Sequence, residues 1–103
     1  MTELPYARST SQDVARAVDP AVTGSELLPY AVNRSAIVRA AVAARTDCPV
    51  GALISLGHDH EVAVLEALLR NVRTHSSVVR ALADHRNQTI ADLAAQRLRN
   101  SFR

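Results

Sequence analysis

Aromatic residues are nearly absent: two Tyr, one Phe and no Trp in 103 residues. A large aromatic ligand pocket and a base-stacking platform are therefore not expected. The single cysteine excludes, within one chain, a disulfide framework, a thiolate zinc site and an iron–sulfur cluster. Only three glycines occur, none in a phosphate-cradling pattern. No apolar run approaches the roughly 20 residues that a membrane helix needs. Residues 1–11 are polar and include Glu3, unlike a signal peptide. The expectation is a cytoplasmic protein with no membrane part. Lysine is missing, and every basic side chain is Arg. Together with abundant Ala, this suggests GC-rich coding and a bacterial source.

What is present is an ordinary globular balance, 48% hydrophobic and 21% charged residues. The length fits one domain. Charge is unevenly spread. Residues 1–69 hold five Arg against eight acids, and residues 70–103 hold seven Arg against two acids. Such asymmetry suits an acidic partner, nucleic acid, or head-to-tail self-contact.

An internal repeat organises the chain. Val38, Val64 and Ile90 lie 26 residues apart, as do Ala41, Ala67 and Leu93. The same interval relates Val42, Leu68 and Ala94, then Ala43, Leu69 and Ala95. Leu53 and Leu56 match Val79 and Leu82 in the same way. A fainter first copy matches Val14, Ala17 and Val18 to Val38, Ala41 and Val42 at an interval of 24, and Leu28 to Leu53 at 25.

Each unit predicts two short helices joined by tight turns. Apolar positions at helical spacing predict longer helices over 35–45, 61–70 and 89–102. Shorter pieces are predicted over 25–32, 49–56 and 76–83. Pieces this short are marginal alone and require stacked neighbours. Cys48-Pro49 places a cap and a first-turn proline, with Thr23 and Thr74 near the equivalent position. Asp19-Pro20 and Gly57 are read as helix stops. Asn33, Asp59 and His85 share a column in the other turn. Arg45, Arg70 and Gln96 stand in or beside related columns at a helix end, where cations favour the dipole. Val78-Val79 is a β-branched pair, but no strand is predicted.

The stretch Val38-Arg39-Ala40-Ala41-Val42-Ala43, followed by Cys48-Pro49-Val50-Gly51-Ala52-Leu53-Ile54-Ser55-Leu56-Gly57-His58-Asp59, resembles a leucine-rich repeat variant. That family is HEAT- and armadillo-like in build. The resemblance spans roughly residues 13–100. It implies an all-α fold: a short right-handed solenoid of about three and a half helical hairpins, with no sheet. The second helix of each pair would be close to 3₁₀. Residues 1–12 would form a flexible segment or cap, and residues 13–103 a single helical-repeat domain. Two features depart from the pattern: the 26-residue unit is longer than usual, and His75 stands where proline would. The Cys-rich segment that carries an iron–sulfur cluster in one member is absent, so no cofactor is expected. The family has no common catalytic activity. It offers a scaffold that binds along a curved face.

The polar clusters each have a sharp and a plain reading. His58-Asp59-His60 and Asp84-His85 align at the 26-residue interval, and His with carboxylate suits zinc or nickel. The plain reading, turn residues capping the next helix, is preferred. No metal is expected, with His58, His60 and His85 the candidates if one binds. Cys48 at a helix start could be activated, but no neighbouring His or oxyanion site accompanies it, so it reads as a half-buried cap residue. Arg70, Arg73, Arg80, Arg86, Arg97 and Arg99 are the candidate partner-binding residues, because guanidinium suits carboxylate and phosphate alike. The last helix is amphipathic, and Leu93, Leu98 and Phe102 are expected to be incompletely covered. Leu4, Pro5 and Tyr6 could cap the other end. Uncapped ends would promote self-association. The expected function is a non-enzymatic scaffold for a protein partner with acidic character. Nucleic-acid binding through the Arg-rich half is the alternative.

Overall fold

The computed structural model describes residues 10–101. Leu4, Pro5, Tyr6 and Phe102, named above for the ends of the chain, lie outside the described residues. Among the described residues there are seven α-helices and no strand. Four helices form one row: α1 (Thr10–Val18), α3 (Ala36–Ala43), α5 (Val62–Arg70) and α7 (Gln88–Asn100). Shorter helices return the chain between them: α2 (Leu28–Ala31), α4 (Val50–Leu56) and α6 (Ser76–Leu82). A 3₁₀ turn, Gly24–Leu27, leads into α2. Within the row, α3 packs between α1 and α5, and α5 between α3 and α7. The chain is elongated, spanning 54 × 27 × 16 Å.

The core lies between the two rows. Val38, Val42, Leu53, Leu56, Val64, Leu68, Val79, Leu82 and Ile90 are buried, while Leu93 is only half-buried against them. Val78 and Val79 are both buried on α6, in helix. β-Branched residues carry only a weak helix penalty, which packing overrides here.

The first copy is in a different register from the one the sequence suggested. Leu27, Leu53 and Val79 occupy equivalent, almost fully buried positions. Tyr30, Leu56 and Leu82 are the next such set. Leu28, matched to Leu53 in the sequence, is instead exposed. These buried positions are thus spaced 26 residues apart from Leu27 onward. The turn bonds agree: the N–H groups of Val22, Cys48 and Thr74 donate to Asp19, Arg45 and Asn71 at 3.0–3.2 Å. At 24 residues the match rested on the alanines and valines of α1, which are too alike to fix a register. Polar residues take α1's remaining positions, because the first helix of a row has only one neighbour to cover it.

Two other turn assignments change. Pro49, not Cys48, is the N-cap residue of α4, and Cys48 is buried behind it. Thr74 does not cap α6. Its hydroxyl donates to the Leu68 carbonyl at 2.7 Å, closing the end of α5, while His75 caps α6. Gly57 ends α4 with an ordinary right-handed φ of −63°, so backbone freedom is not its purpose. A Cβ there would stand 2.8 Å from Val78 Cγ1 and 3.1 Å from the Ile54 carbonyl. Glycine lets α4 approach α6. Gly57→Ala should cost about 1–3 kcal/mol through overpacking, read as a lowered midpoint in urea unfolding.

The two end helices of the row present both polar and apolar groups, with Val18 on α1 exposed. On α7, Gln88, Asp92, Gln96 and Arg99 are exposed at helical spacing, and Gln88 Nε2 donates to Asp92 Oδ1 at 2.7 Å. Leu93 and Leu98 pack against the core but are only half-buried, in line with the expectation. On α1, Ser11, Gln12, Ala15 and Arg16 are exposed.

Candidate interaction face and polar ladders

Side chains that bind the molecule to itself must be separated from those free for a partner. Three polar side chains bridge successive long helices. Arg45 Nη1 donates to the Ala17 and Asp19 carbonyls at 3.0 and 2.8 Å. Asn71 Nδ2 donates to those of Ala43 and Arg45 at 2.8 and 2.9 Å. Arg97 Nη1 donates to those of Leu69 and Asn71 at 2.8 and 2.7 Å. The last carbonyls of a helix lack intrahelical partners. Each of these side chains supplies donors to the carbonyls 28 and 26 residues earlier. This ladder was missed in the sequence, where Arg45 was grouped with Arg70 and Gln96. The signal was present: Arg45, Asn71 and Arg97 lie 26 apart, and all three carry amide or guanidinium donors.

The opposite edge repeats in the same way. Asn33 Oδ1, Asp59 Oδ1 and His85 Nδ1 accept the N–H of Ser35, Glu61 and Asn87 at 2.8, 2.9 and 3.0 Å. Each prepares the start of the next long helix. Asp59 also pairs with Arg39, at 2.7 and 3.2 Å. Burial pushes the Asp59 carboxyl upward, but Arg39 and the Glu61 N–H outweigh it and hold it below the usual range. A carboxylate lowered in the folded state stabilises above the unfolded value, near pH 4, and loses that contribution as pH falls through the lowered value. Asp59→Asn keeps an acceptor for Glu61, as Asn33 does for Ser35, but loses the ion pair. It should cost about 1–2 kcal/mol near neutrality and flatten the acid limb of a plot of Tm against pH.

The histidines of this edge do not converge. His60, His85, Arg86 and Asn87 line an open hollow with Val62, whereas His58 lies beside α6. Among the described residues, no three His, Cys, Asp or Glu side chains are placed to share a metal ion.

The six arginines are likewise divided. Arg70 and Arg97 line one hollow with Leu69, Val72 and Ser101, at the end of α5. Arg73 is exposed in the adjoining turn, and Arg99 is exposed near the end of α7. Arg86 belongs to the opposite edge, beyond the length of α5, about 13 Å for nine residues. Arg80 is exposed on α6. Arg70 pairs loosely with Glu66 at 3.8 Å. Arg97 is half-buried and turned inward, with a further 2.8 Å bond to the Thr74 carbonyl.

Cys48 is buried, its thiol pushed up to about 11 by burial, with Asp47 adding and Arg45 opposing. The thiolate form is therefore disfavoured in the folded chain. A thiol-specific disulfide reagent at pH 8 should react slowly with the folded chain and quickly after denaturation, when the thiol regains its ordinary value near 8.5. Equal rates in the two states would contradict the buried placement.

The most concentrated exposed feature lies on the short helices. A groove of about 480 Å³ runs between α2 and α4. Leu28, Ala31 and Val32 form one wall, and Pro49, Gly51, Ala52 and Ser55 the other. Its one charged lining residue, Asp59, is neutralised by Arg39. Seven large apolar side chains are exposed among the described residues, and four of them belong to this face: Leu28 at 43%, Val32 at 80%, Val50 at 53% and Ile54 at 45%. The equivalent groove between α4 and α6, about 190 Å³, contains His58 and Ser77 and is less apolar. This face also went unnoticed in the sequence. Its signal is the composition of α4, Val50–Leu56, which carries no charge on any side. A helix apolar all round is ordinarily covered all round.

Comparison with protein-family models, with curated proteins and with solved structures found no match. The function of the face therefore rests on its own chemistry.

Proposed function

We propose that this chain is a short helical-repeat array, a right-handed solenoid akin to the leucine-rich repeat variants, that works as a non-enzymatic protein-interaction module. The repeat reading is supported by one interval of 26 residues in the buried columns, the turn bonds and the side-chain ladder. The interaction reading is carried by a single observation, the exposure of Leu28, Val32, Val50 and Ile54 on the short-helix side, where Leu28 and Val32 line the α2–α4 groove. An apolar face of this kind on a small chain marks a contact with another protein.

Nucleic-acid binding is disfavoured by the arrangement of the arginines. A phosphate backbone needs several cations on one track. Here Arg86 stands apart and Arg97 is committed to carbonyls. Arg70, Arg73 and Arg99 remain as a local basic edge that would favour acidic segments of a protein partner.

The test uses a photo-crosslinking amino acid at position 54 of the full chain in its native cells. A discrete protein adduct, of any mass, is the expected result. In parallel, labelled oligonucleotides should show no salt-sensitive binding. An adduct-free chain that binds oligonucleotides steeply with falling salt would overturn the reading in favour of nucleic acid.

A further inference from the structure

We infer that the hollow beside the starts of α5 and α7 binds a phosphomonoester group through His60, His85, Arg86 and Asn87. It shares no lining residue with the α2–α4 groove, so this site goes beyond the interaction reading. Comparison of successive units carries the assignment. In one unit, Asp59 accepts from Arg39 of α3 at 2.7 and 3.2 Å, and Arg39 also donates to the Asn33 carbonyl at 2.8 Å. Twenty-six residues on, His85 takes the place of Asp59, and Leu65 that of Arg39. Leu65 is fully buried and has no polar side-chain atom. The turn residue has changed from an acceptor with an internal partner to a ring with a donor and none. A ligand that completes this turn must bring acceptors.

The other lining groups agree. His85 Nδ1 accepts the Asn87 N–H at 3.0 Å, which leaves the ring proton on Nε2. Asn87 Oδ1 accepts the Ile90 N–H at 3.2 Å, which leaves the two donors of Nδ2. Thus the acceptors of both residues are spent on the backbone while their donors are unused. The side chains of His60 and Arg86 are exposed and make no hydrogen bond among the described residues. Asp59, the acid that interacts with His60, is already paired with Arg39. No acid lines the hollow; Glu61 and Asp84, its neighbours in sequence, are exposed without lining it. A guanidinium here repels a metal cation and attracts an anion. The hollow is about 600 Å³, with Val62 as its apolar side. Donors arriving from two turns suit the three terminal oxygens of a phosphomonoester better than the two of a carboxylate.

The test is a titration of the ¹⁵N-labelled full chain with inorganic phosphate at pH 7, followed by amide chemical shifts, with sodium chloride holding the ionic strength constant. Saturable shifts at His60, His85, Arg86 and Asn87 are expected, with a Kd of about 1 mM or below. Arg86→Gln should weaken binding about tenfold. His85→Asn keeps an acceptor for the Asn87 N–H, as Asn33 does for Ser35, but loses Nε2–H and should weaken binding to a similar degree. Arg70→Gln, at the other edge, should change nothing. Phosphoserine and a phosphoserine peptide, with the unphosphorylated peptide as control, distinguish the sources of the group. A phosphopeptide bound much more tightly than phosphoserine places the group on a protein, and equal binding places it on a small molecule. Absence of saturable shifts, shifts spread evenly over Arg70, Arg73 and Arg99, or affinity indifferent to both Arg86→Gln and His85→Asn would overturn the assignment.

Discussion

Replacing Asn71 with leucine should cost about 3–5 kcal/mol, the largest loss expected from any single polar substitution in this chain. Asn71 is 3% exposed. Its amide nitrogen serves the carbonyls of Ala43 and Arg45, and its Oδ1 accepts the Arg73 N–H at 2.9 Å. Leucine has nearly the same shape and none of these bonds. The Ala43 carbonyl and the Arg73 N–H would lose these partners, while the Arg45 carbonyl keeps the Cys48 N–H, at about 1–3 kcal/mol for each unsatisfied buried group. Against a domain stability of about 5–15 kcal/mol, this is a large fraction. Tm should fall by about 15–30 °C. Asn71→Asp provides the control. Its carboxylate would face two carbonyl oxygens with no proton to give, so it should be at least as damaging near neutrality. It should recover partly in acid, because a protonated carboxyl regains one donor. The sign follows from linkage: a carboxyl raised in the folded state loses stability as pH rises through the unfolded value. A Tm for Asn71→Leu within a few degrees of wild type would mean that the ladder is incidental.

Leu68→Ala is the corresponding loss in the core, with an expected cost of about 3–4 kcal/mol. Leu68 is fully buried on α5, which has a long neighbour on both sides. It also stands 3.8 Å from the position a Cβ on Gly57 would take, so it reaches across to the end of α4. Removing its side chain opens a cavity between α5 and the end of α4. The site cannot collapse easily, since Val64 and Leu65 on the same helix are held by their own contacts. Urea unfolding should show a lower midpoint with an unchanged slope, which identifies a loss of stability rather than a change in the unfolded chain. An undiminished midpoint would place Leu68 outside the core and break the 26-residue register. Ala63 on the same helix is exposed, so Ala63→Ser should change the midpoint by no more than about 0.5 kcal/mol.

These two variants separate what is readable in a linear sequence from what is not. Leu68 belongs to a column, Val42, Leu68 and Ala94, whose burial follows from apolar character at two periods. Helical spacing selects a face, and the 26-residue interval says that the face is used repeatedly. Of the columns proposed on that basis, Val38–Val64–Ile90, Val42–Leu68–Ala94, Leu53–Val79 and Leu56–Leu82 are buried, whereas Ala41, Ala67 and Leu93 form a half-buried column. The column Asn33, Asp59 and His85 was legible for a similar reason, because all three side chains can accept a backbone N–H two residues on.

Asn71, Arg45 and Arg97 were not legible in the same way. A donor is recognised from its sequence, but the carbonyls that need it are created only when a helix ends and the next unit arrives beside it. Arg97 shows the difference. By type and position it belongs with Arg70, Arg73 and Arg99 as a surface cation, yet its guanidinium points into the preceding turn. Burial lowers its pKa, and the carbonyls satisfy its donors.

The sequence by itself determined that this chain is helical and which apolar positions supply most of the core, because local spacing and hydrophobicity act along the chain. The tertiary structure decided the register of the first unit, the division of the arginines between two edges, the inward use of Arg97, and the groove between α2 and α4. Each of those depends on which groups are brought together from 20 or more residues apart. Only packing settles which backbone groups are left without partners and which apolar side chains are left without cover.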